Sequence, residues 1–388
     1  MRHDRRGFAL PAVIGALVII GILVTAGFYT ARQELRIGVA SAHTNLAVNI
    51  AQAGVNEVMA NWNGYQLGNI LPWTDTTLTD TISDGIWTVD IANANDYVYF
   101  LTATGQVTRG GDMWAGASRT VGIAAKILFA DINPPAALTT RGSVKVGSGA
   151  ADIIGNDSVP PLWAPYCAGI TPNDTTAVLV DDTMGGSNPV NGTKGLTGNP
   201  QYAEDSTIVD STFTNFGDMD WAELTAFAQL DGKEITSLGS TINNTGPAVD
   251  ASLRCDFSVL DNWGDNVPTN PCGAYFPLMY HAGNTTIQSS GYGQGILLVE
   301  GDLEIRGGYT FFGIIITQGT FSTGNGTNTI IGAVMASNAA DLSQSFLGTS
   351  TIQYSSCAVQ RAVLNNAALS RARPLDERSW VDLTAVTN

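Results

Sequence analysis

Charge is scarce in this chain. Asp, Glu, Lys and Arg make up 13% of 388 residues, with 18 Lys+Arg against 34 Asp+Glu and a formal net charge of −16. The few cations cluster at Arg2 to Arg6, at Arg32 to Arg36 and from Arg361 onward. No broad phosphate-neutralising face follows from that pattern, which excludes nucleic acid as a partner. Histidine is scarcer still: beyond His3 and His43 in the N-terminal segment there is only His281, too little for a triad or a zinc site. No G-x-S-x-G, phosphate-loop or H-E-x-x-H pattern occurs. The four cysteines, Cys167, Cys255, Cys272 and Cys357, include no C-x-x-C pair, and an even, scattered set of this kind suggests disulfides.

What the chain does have is a long uncharged run. Behind Arg5-Arg6-Gly7-Phe8-Ala9-Leu10-Pro11 no Asp, Glu, Lys, Arg or His occurs until Arg32. As a helix, Phe8 to Ala31 spans ~36 Å, enough for a bilayer core of ~30 Å. Arg2, Arg5 and Arg6 ahead of the run favour a cytoplasmic N-terminus with the rest exported. A secretory signal has a shorter apolar core that ends at a small-x-small site. Here Leu35, Val39, Ala42, Leu46, Ile50 and Ala53 continue at three- and four-residue steps, with Val58 beyond them, so one helix is predicted from Phe8 to about Ala60, turning from apolar to amphipathic.

A short basic leader ending in Gly7, Phe8 directly after it, and an apolar helix turning amphipathic together resemble the class III signal of type IV prepilins. The resemblance implies cleavage after Gly7 by a prepilin peptidase and methylation of Phe8 as the first mature residue. It also implies an inner-membrane anchor that later packs in an extracellular filament. The glutamate of most major pilins would fall at Ala12, where it is missing. Ala9-Leu10, Gln33-Glu34-Leu35-Arg36 and Ala51-Gln52-Ala53-Gly54-Val55 resemble PilX-like minor pilins, which often lack that glutamate. A buried carboxylate compensates the amine of a neighbouring subunit, whereas a tip subunit has none ahead of it. The tip pseudopilin of type II secretion shares this departure and is the near alternative.

The fold class expected is α+β: a leader (1–7), a pilin-type stem helix (8–60), a small antiparallel β region (61–132), and a mostly β body (133–388). Gly85 to Ile91, Tyr97 to Thr104 and Ser118 to Leu128 read as strands of the small sheet. In the body, Gly295-Ile-Leu-Leu, Gly313-Ile-Ile-Ile and Gly332-Ala-Val-Met recur at 18 and 19 residues, and Gly301 and Gly319 at 18. A fixed period of this length suggests stacked rungs of a β-solenoid. Leu138 to Ile154 and Thr349 to Tyr354 cap or extend the stack. A loop-rich insertion occupies about 157–290, with a helix at Asp218 to Leu230. The preferred pairing of cysteines is Cys255 with Cys272 and Cys167 with Cys357, among three connectivities.

Carboxylate groups in the body invite two further readings. Asp181-Asp182, Glu300 with Asp302, and Asp261 with Asp265 are candidates for polysaccharide cleavage, but the sequence positions no basic residue beside them, so no catalytic residue and no enzyme is expected. Asp261-Asn-Trp-Gly-Asp265-Asn offers oxygen ligands for calcium without the EF-hand spacing, and a solvated turn is the plainer reading. No other cofactor is expected. The function expected is a minor pilin at or near a filament tip, supporting pilus assembly and surface adhesion, with other pilins, the peptidase and the inner membrane as partners. The alternative from another class is a membrane-tethered solenoid that binds or cleaves glycans.

Overall fold

A computed structural model describes residues 9–62, 67, 70–95, 97–108, 116–147, 151–182, 189–230, 232–288, 290–343, 349–366, 369–375 and 380–385. The chain divides into two compact units, Met1–Ile127 with Ala372–Asn388, and Leu128–Arg371.

The first unit is built on helix α1, Ala9–Ala60, which at 1.5 Å per residue runs for ~78 Å. Pro11 sits in its first turn, where the missing N–H is harmless. The upper half of α1 buries Ala47, Ile50, Ala51, Val55 and Val58 at three- and four-residue steps. They pack on an antiparallel meander of β1 (Asp75–Ile82), β2 (Gly85–Asn95), β3 (Val98–Val107) and β4 (Ser118–Phe129). Two glycines allow the close approach. A Cβ on Gly54 would stand 2.8 Å from the Trp87 ring, and one on Gly105 would stand 2.2 Å from the Ala47 carbonyl oxygen. β2 alternates as predicted, with Trp87, Val89 and Ile91 turned inward.

The C-terminal residues depart from the expectation that 133–388 form one body. Trp380–Asp382 pairs antiparallel with Val121–Ile123 of β4, and the Thr120 N–H donates to Thr384 Oγ1 at 2.7 Å. The outer edge of β4 offers backbone groups that need partners, and a three-residue strand carries too little pattern to be seen in sequence.

The second unit holds two parallel sheets that the chain visits alternately. One runs through β5 (Ala136–Thr140), β6 (Ala151–Ile154), β7 (Leu278–His281), β9 (Tyr292–Val299), β11 (Thr310–Thr317), β13 (Thr329–Ala336) and β14 (Ser350–Tyr354). The other includes β8 (Thr285–Gln288), β10 (Leu303–Arg306) and β12 (Phe321–Thr323). The sequence period is the strand-to-strand offset, since Gly295 pairs with Gly313 and Gly313 with Gly332. Glycine is required in this row. Gly313 and Gly332 have φ of +128° and +141°, and a Cβ there would stand 2.1 and 1.9 Å from the carbonyl oxygen of the glycine in the preceding strand.

A second row accounts for Gly301 and Gly319. Asn284 Oδ1 accepts the Asp302 N–H at 2.8 Å, Asp302 Oδ1 accepts the Thr320 N–H at 2.7 Å, and Asn338 Nδ2 donates to Thr320 Oγ1 at 3.2 Å. A Cβ on Gly301 or Gly319 would lie 2.1 Å from Asn284 Oδ1 or 2.4 Å from Asp302 Oδ1. Beyond β13 the order of the stack leaves the order of the chain: the end of β13 pairs with β5, and β14 pairs with β6. Ala136–Thr140, Ala151–Ile154 and Ser350–Tyr354 therefore extend this sheet, while Val144–Lys145 between the first two joins the other.

Helix α2 spans Trp221–Leu230, and α3 spans Ser356–Leu364 with the Ser355 hydroxyl capping its start through the Ala358 N–H. Ala362 of α3 comes within 3.1 Å of a Cβ built on Gly313, so the helix lies close over β11. Cys167 is bonded to Cys357 and Cys255 to Cys272.

Candidate functional site

The lower half of α1 is the first candidate. Leu10, Val13, Ile14, Leu17, Val18, Ile19, Ile20, Ile22, Leu23, Val24, Phe28 and Tyr29 are all exposed, which covers every face of the helix. The helix is long and apolar enough to cross a membrane. Its threonine hydroxyls are satisfied internally: Thr25 Oγ1 donates to the Gly21 carbonyl at 2.7 Å and Thr30 Oγ1 to that of Gly27 at 2.9 Å. Gly15, Gly21 and Gly27 open onto free space. Gly7 and Phe8, the expected processing site, lie outside the described residues; Ala12 lies in the first turns of α1.

Among the described residues the candidate pairs Asp181-Asp182, Glu300 with Asp302, and Asp261 with Asp265 do not converge on one site. Glu300 and Asp302 lie at a bend between β9 and β10 rather than on one strand face. Glu300 Oε2 accepts from Trp221 Nε1 at 3.2 Å and Tyr280 Oη at 3.0 Å, while Asp302 holds the next turn. Burial, then the hydrogen bond to Glu300, pushes the Tyr280 hydroxyl up to about 12. Asp181 is buried 3.6 Å from the Arg141 guanidinium, and Asp182 lies at the next position on a turn. His281 is buried with its ring nitrogens 3.1 and 3.2 Å from the carbonyl oxygens of Gly283 and Gly239, the position of a structural histidine.

The calcium candidate differs from its expectation. Asp265 is buried, with one carboxylate oxygen accepting the Val267 N–H and the other Asn270 Nδ2, both at 2.9 Å. The Asp261 carbonyl takes the Gly246 N–H. Between them Asn262 and Trp263 are fully buried: Asn262 Nδ2 donates to the carbonyls of Asp256 (2.7 Å) and Ala248 (3.1 Å), and Trp263 Nε1 to that of Leu260 (3.1 Å). The segment is a buried hub beneath the Cys255–Cys272 bridge, neither a solvated turn nor a ligand cage. Among the described residues no three His, Cys, Asp or Glu side chains gather to hold a metal.

Two cations escaped the sequence reading. Lys233 is 4% exposed, donates from Nζ to the Val259 carbonyl and faces the Tyr275 ring at 5.4 Å. Burial lowers its ammonium to about 8 against the opposing pull of Asp261 and Asp256. Arg361 is buried with its guanidinium 4.7 Å from the Trp163 ring centre and 5.1 Å from those of Tyr166 and Phe276. Trp163 in turn stacks on Phe312 and donates from Nε1 to the Asn266 carbonyl at 2.8 Å. Their sole sequence signal is aromatic residues placed near cysteines.

A polar groove of about 380 Å³ lies along the second sheet, lined in part by Thr241, Asn284, Thr286, Asp302 and Glu304.

No protein-family model matches the chain, and no curated protein matches it in sequence. Among solved structures, the crystal structure of the competence-associated pilin ComZ from Thermus thermophilus aligns over 86% of this chain and 95% of that one, at 12% identity and a TM-score of 0.28. At that score the two folds do not superpose as wholes, and the reading below rests on the chain's own residues.

Proposed function

We propose that this chain is a minor type IV pilin of the PilX-like group. It is anchored by α1, cut between Gly7 and Phe8, and carried at or near the tip of a filament. One observation carries the reading: a 52-residue helix exposes apolar side chains on all faces of its lower half and buries its upper half on an antiparallel sheet. The lower half suits a bilayer first and a bundle of like helices later, because both environments accept the same apolar surface. We read the two parallel sheets as rungs of a β-solenoid, exported and stapled by two disulfides, that offers surface for adhesion or for other minor pilins and carries no catalysis.

The test is N-terminal mass analysis of the mature protein. A chain beginning at methylated Phe8 supports the reading; an intact Met1 or a cut near Ala31 overturns it. Co-purification with pilus minor subunits, against a secretion pseudopilus, separates the two machines. The polar groove along the second sheet favours a second reading, in which the body binds neutral glycan through hydroxyl and carboxylate groups.

A further inference from the structure

The turn Ile70–Thr74 presents an exposed tryptophan in a costly backbone conformation. Trp73 is 85% exposed at φ +66°, a region that bulky residues avoid, and Leu71 beside it is 70% exposed. Five hydrogen bonds hold the turn, one of them from the Thr74 N–H to the Leu71 carbonyl at 3.1 Å. The Trp73 N–H donates to the Asn93 carbonyl at 2.8 Å, Asn93 N–H to that of Thr74 at 2.9 Å, Thr74 Oγ1 to that of Leu71 at 2.6 Å, and Asn93 Nδ2 to that of Ile70 at 2.6 Å. Strain secured this firmly, with the indole left in solvent, is the arrangement expected of a binding anchor.

Trp73 stands at the start of β1, an eight-residue edge strand without proline, lysine or arginine. Among the described residues β1 pairs only with β2. The Asn93-to-Thr74 bond sets the alternation: even-numbered residues of β1 bond to β2, and Asp75, Thr77, Thr79 and Thr81 turn their backbone groups outward. The Thr81 N–H agrees with that parity, since it is taken by Asp80 Oδ1 at 2.7 Å. From residue 37 to residue 108 the chain has no Lys or Arg; Asp75 and Asp90, the β2 partner of Thr77, share one face of this edge, and Asp80 lies on the other.

We propose that the β1 edge is a docking site for an extended segment of another protein that carries Lys or Arg at alternate positions. The segment adds as a further antiparallel or parallel strand, with Trp73 covering its end. Asp75 and Asp90 on one face meet cations at alternate positions of the added strand, and an indole face accepts a cation, so opposite charge is the complement. The same acids repel a second copy of β1, which argues against self-pairing. The inference stands on the first unit's geometry and does not depend on the pilin reading.

The test uses the full chain in detergent micelles and a blocked heptapeptide alternating lysine with valine, beside its glutamate counterpart. Saturable binding of the lysine peptide is expected, with slowed hydrogen exchange at the Thr77 and Thr79 amides. Trp73→Ala should weaken it about tenfold or more. Thr79→Pro removes an outward N–H without touching the β2 ladder and should abolish it; Asp75→Lys, which leaves the backbone alone, should weaken it as well. Equal binding of the glutamate peptide, indifference to Thr79→Pro and Asp75→Lys, no binding of either peptide, or a self-association that Thr79→Pro removes would each overturn the proposal.

Discussion

At the scale of single residues, the body is organised around two cations that its composition makes rare. Lys233 stands in a Gly-Lys-Glu sequence that reads as solvated; it is buried because the loop stapled by Cys255 and Cys272 closes over it, and that closure is long-range and invisible to local pattern. Its amine is charged in the unfolded chain up to the ordinary lysine range near ~10.4, but only to about 8 when folded. Between those values the unfolded state binds the extra proton, so this residue's contribution to stability rises with pH, and its penalty is complete below 8. Lys233→Met should remove that dependence: the stability difference, variant minus wild type, falls by on the order of 2 kcal/mol as pH goes from 7.5 to 10. Urea midpoints at the two pH values check this, and a constant difference would mean the ammonium is solvated. The cysteines were the legible residues here, since both preferred pairings are the ones formed. Closing 190 residues rather than 17 should matter more: Cys167→Ser with Cys357→Ser is expected to cost about 5 kcal/mol and the Cys255, Cys272 double variant about 3. Equal denaturation midpoints for the two variants would count against the loop-entropy account.

Among elements, legibility followed periodicity. The alternation of β2 and the Gly-led repeat at 18 and 19 residues have a period that burial imposes, whereas the stripe expected on α1 is buried at Ile50 and Val58 but leaves Leu35, Val39 and Ala42 exposed and omits Ala47, Ala51 and Val55, because the sheet covers the helix only from about residue 47. β1 had none: Asp-Thr-Thr-Leu-Thr-Asp-Thr-Ile faces solvent on most positions, so its strand state is decided by pairing with β2 and by the turn ahead of it. The repeat also makes a graded prediction. Gly313→Ala puts a methyl 2.1 Å from the Gly295 oxygen at φ +128°, with Ala362 3.1 Å away, so either the strand ladder or α3 must shift. Gly308 also has positive φ, +88°, but a Cβ there meets only the Thr327 oxygen at 4.0 Å. Gly308→Ala should cost about 1 kcal/mol for conformation alone, and Gly313→Ala about 3 or more. Chemical denaturation of the two variants measures the gap; similar losses would show that backbone strain, and not the packing of strand on strand, sets the glycine row.

For the whole molecule, on the proposed reading, the question is why a subunit with one anchor helix carries so large a second unit. A body of more than 240 residues repeated along a filament would crowd its neighbours, whereas a rare or terminal subunit meets no such limit. Ala12 fits the same position. In a repeated subunit a carboxylate at this depth would be desolvated beside the next subunit's amine and would be stable only as a pair; at a tip the pair has no second member, and an uncompensated charge in an apolar bundle is costly. If the proposed reading holds, Ala12→Glu is therefore expected to leave the cut after Gly7 intact, because position 12 lies beyond it, while changing where or how often the subunit enters the filament. Mass analysis of the mature N-terminus reads the first effect, and gold labelling of the exported body along isolated filaments reads the second. Unchanged cleavage with labelling moved from the ends to the shaft, or raised in number, would tie the missing carboxylate to terminal placement. Unchanged position and number would leave the size of the body as the sole ground for placing it there.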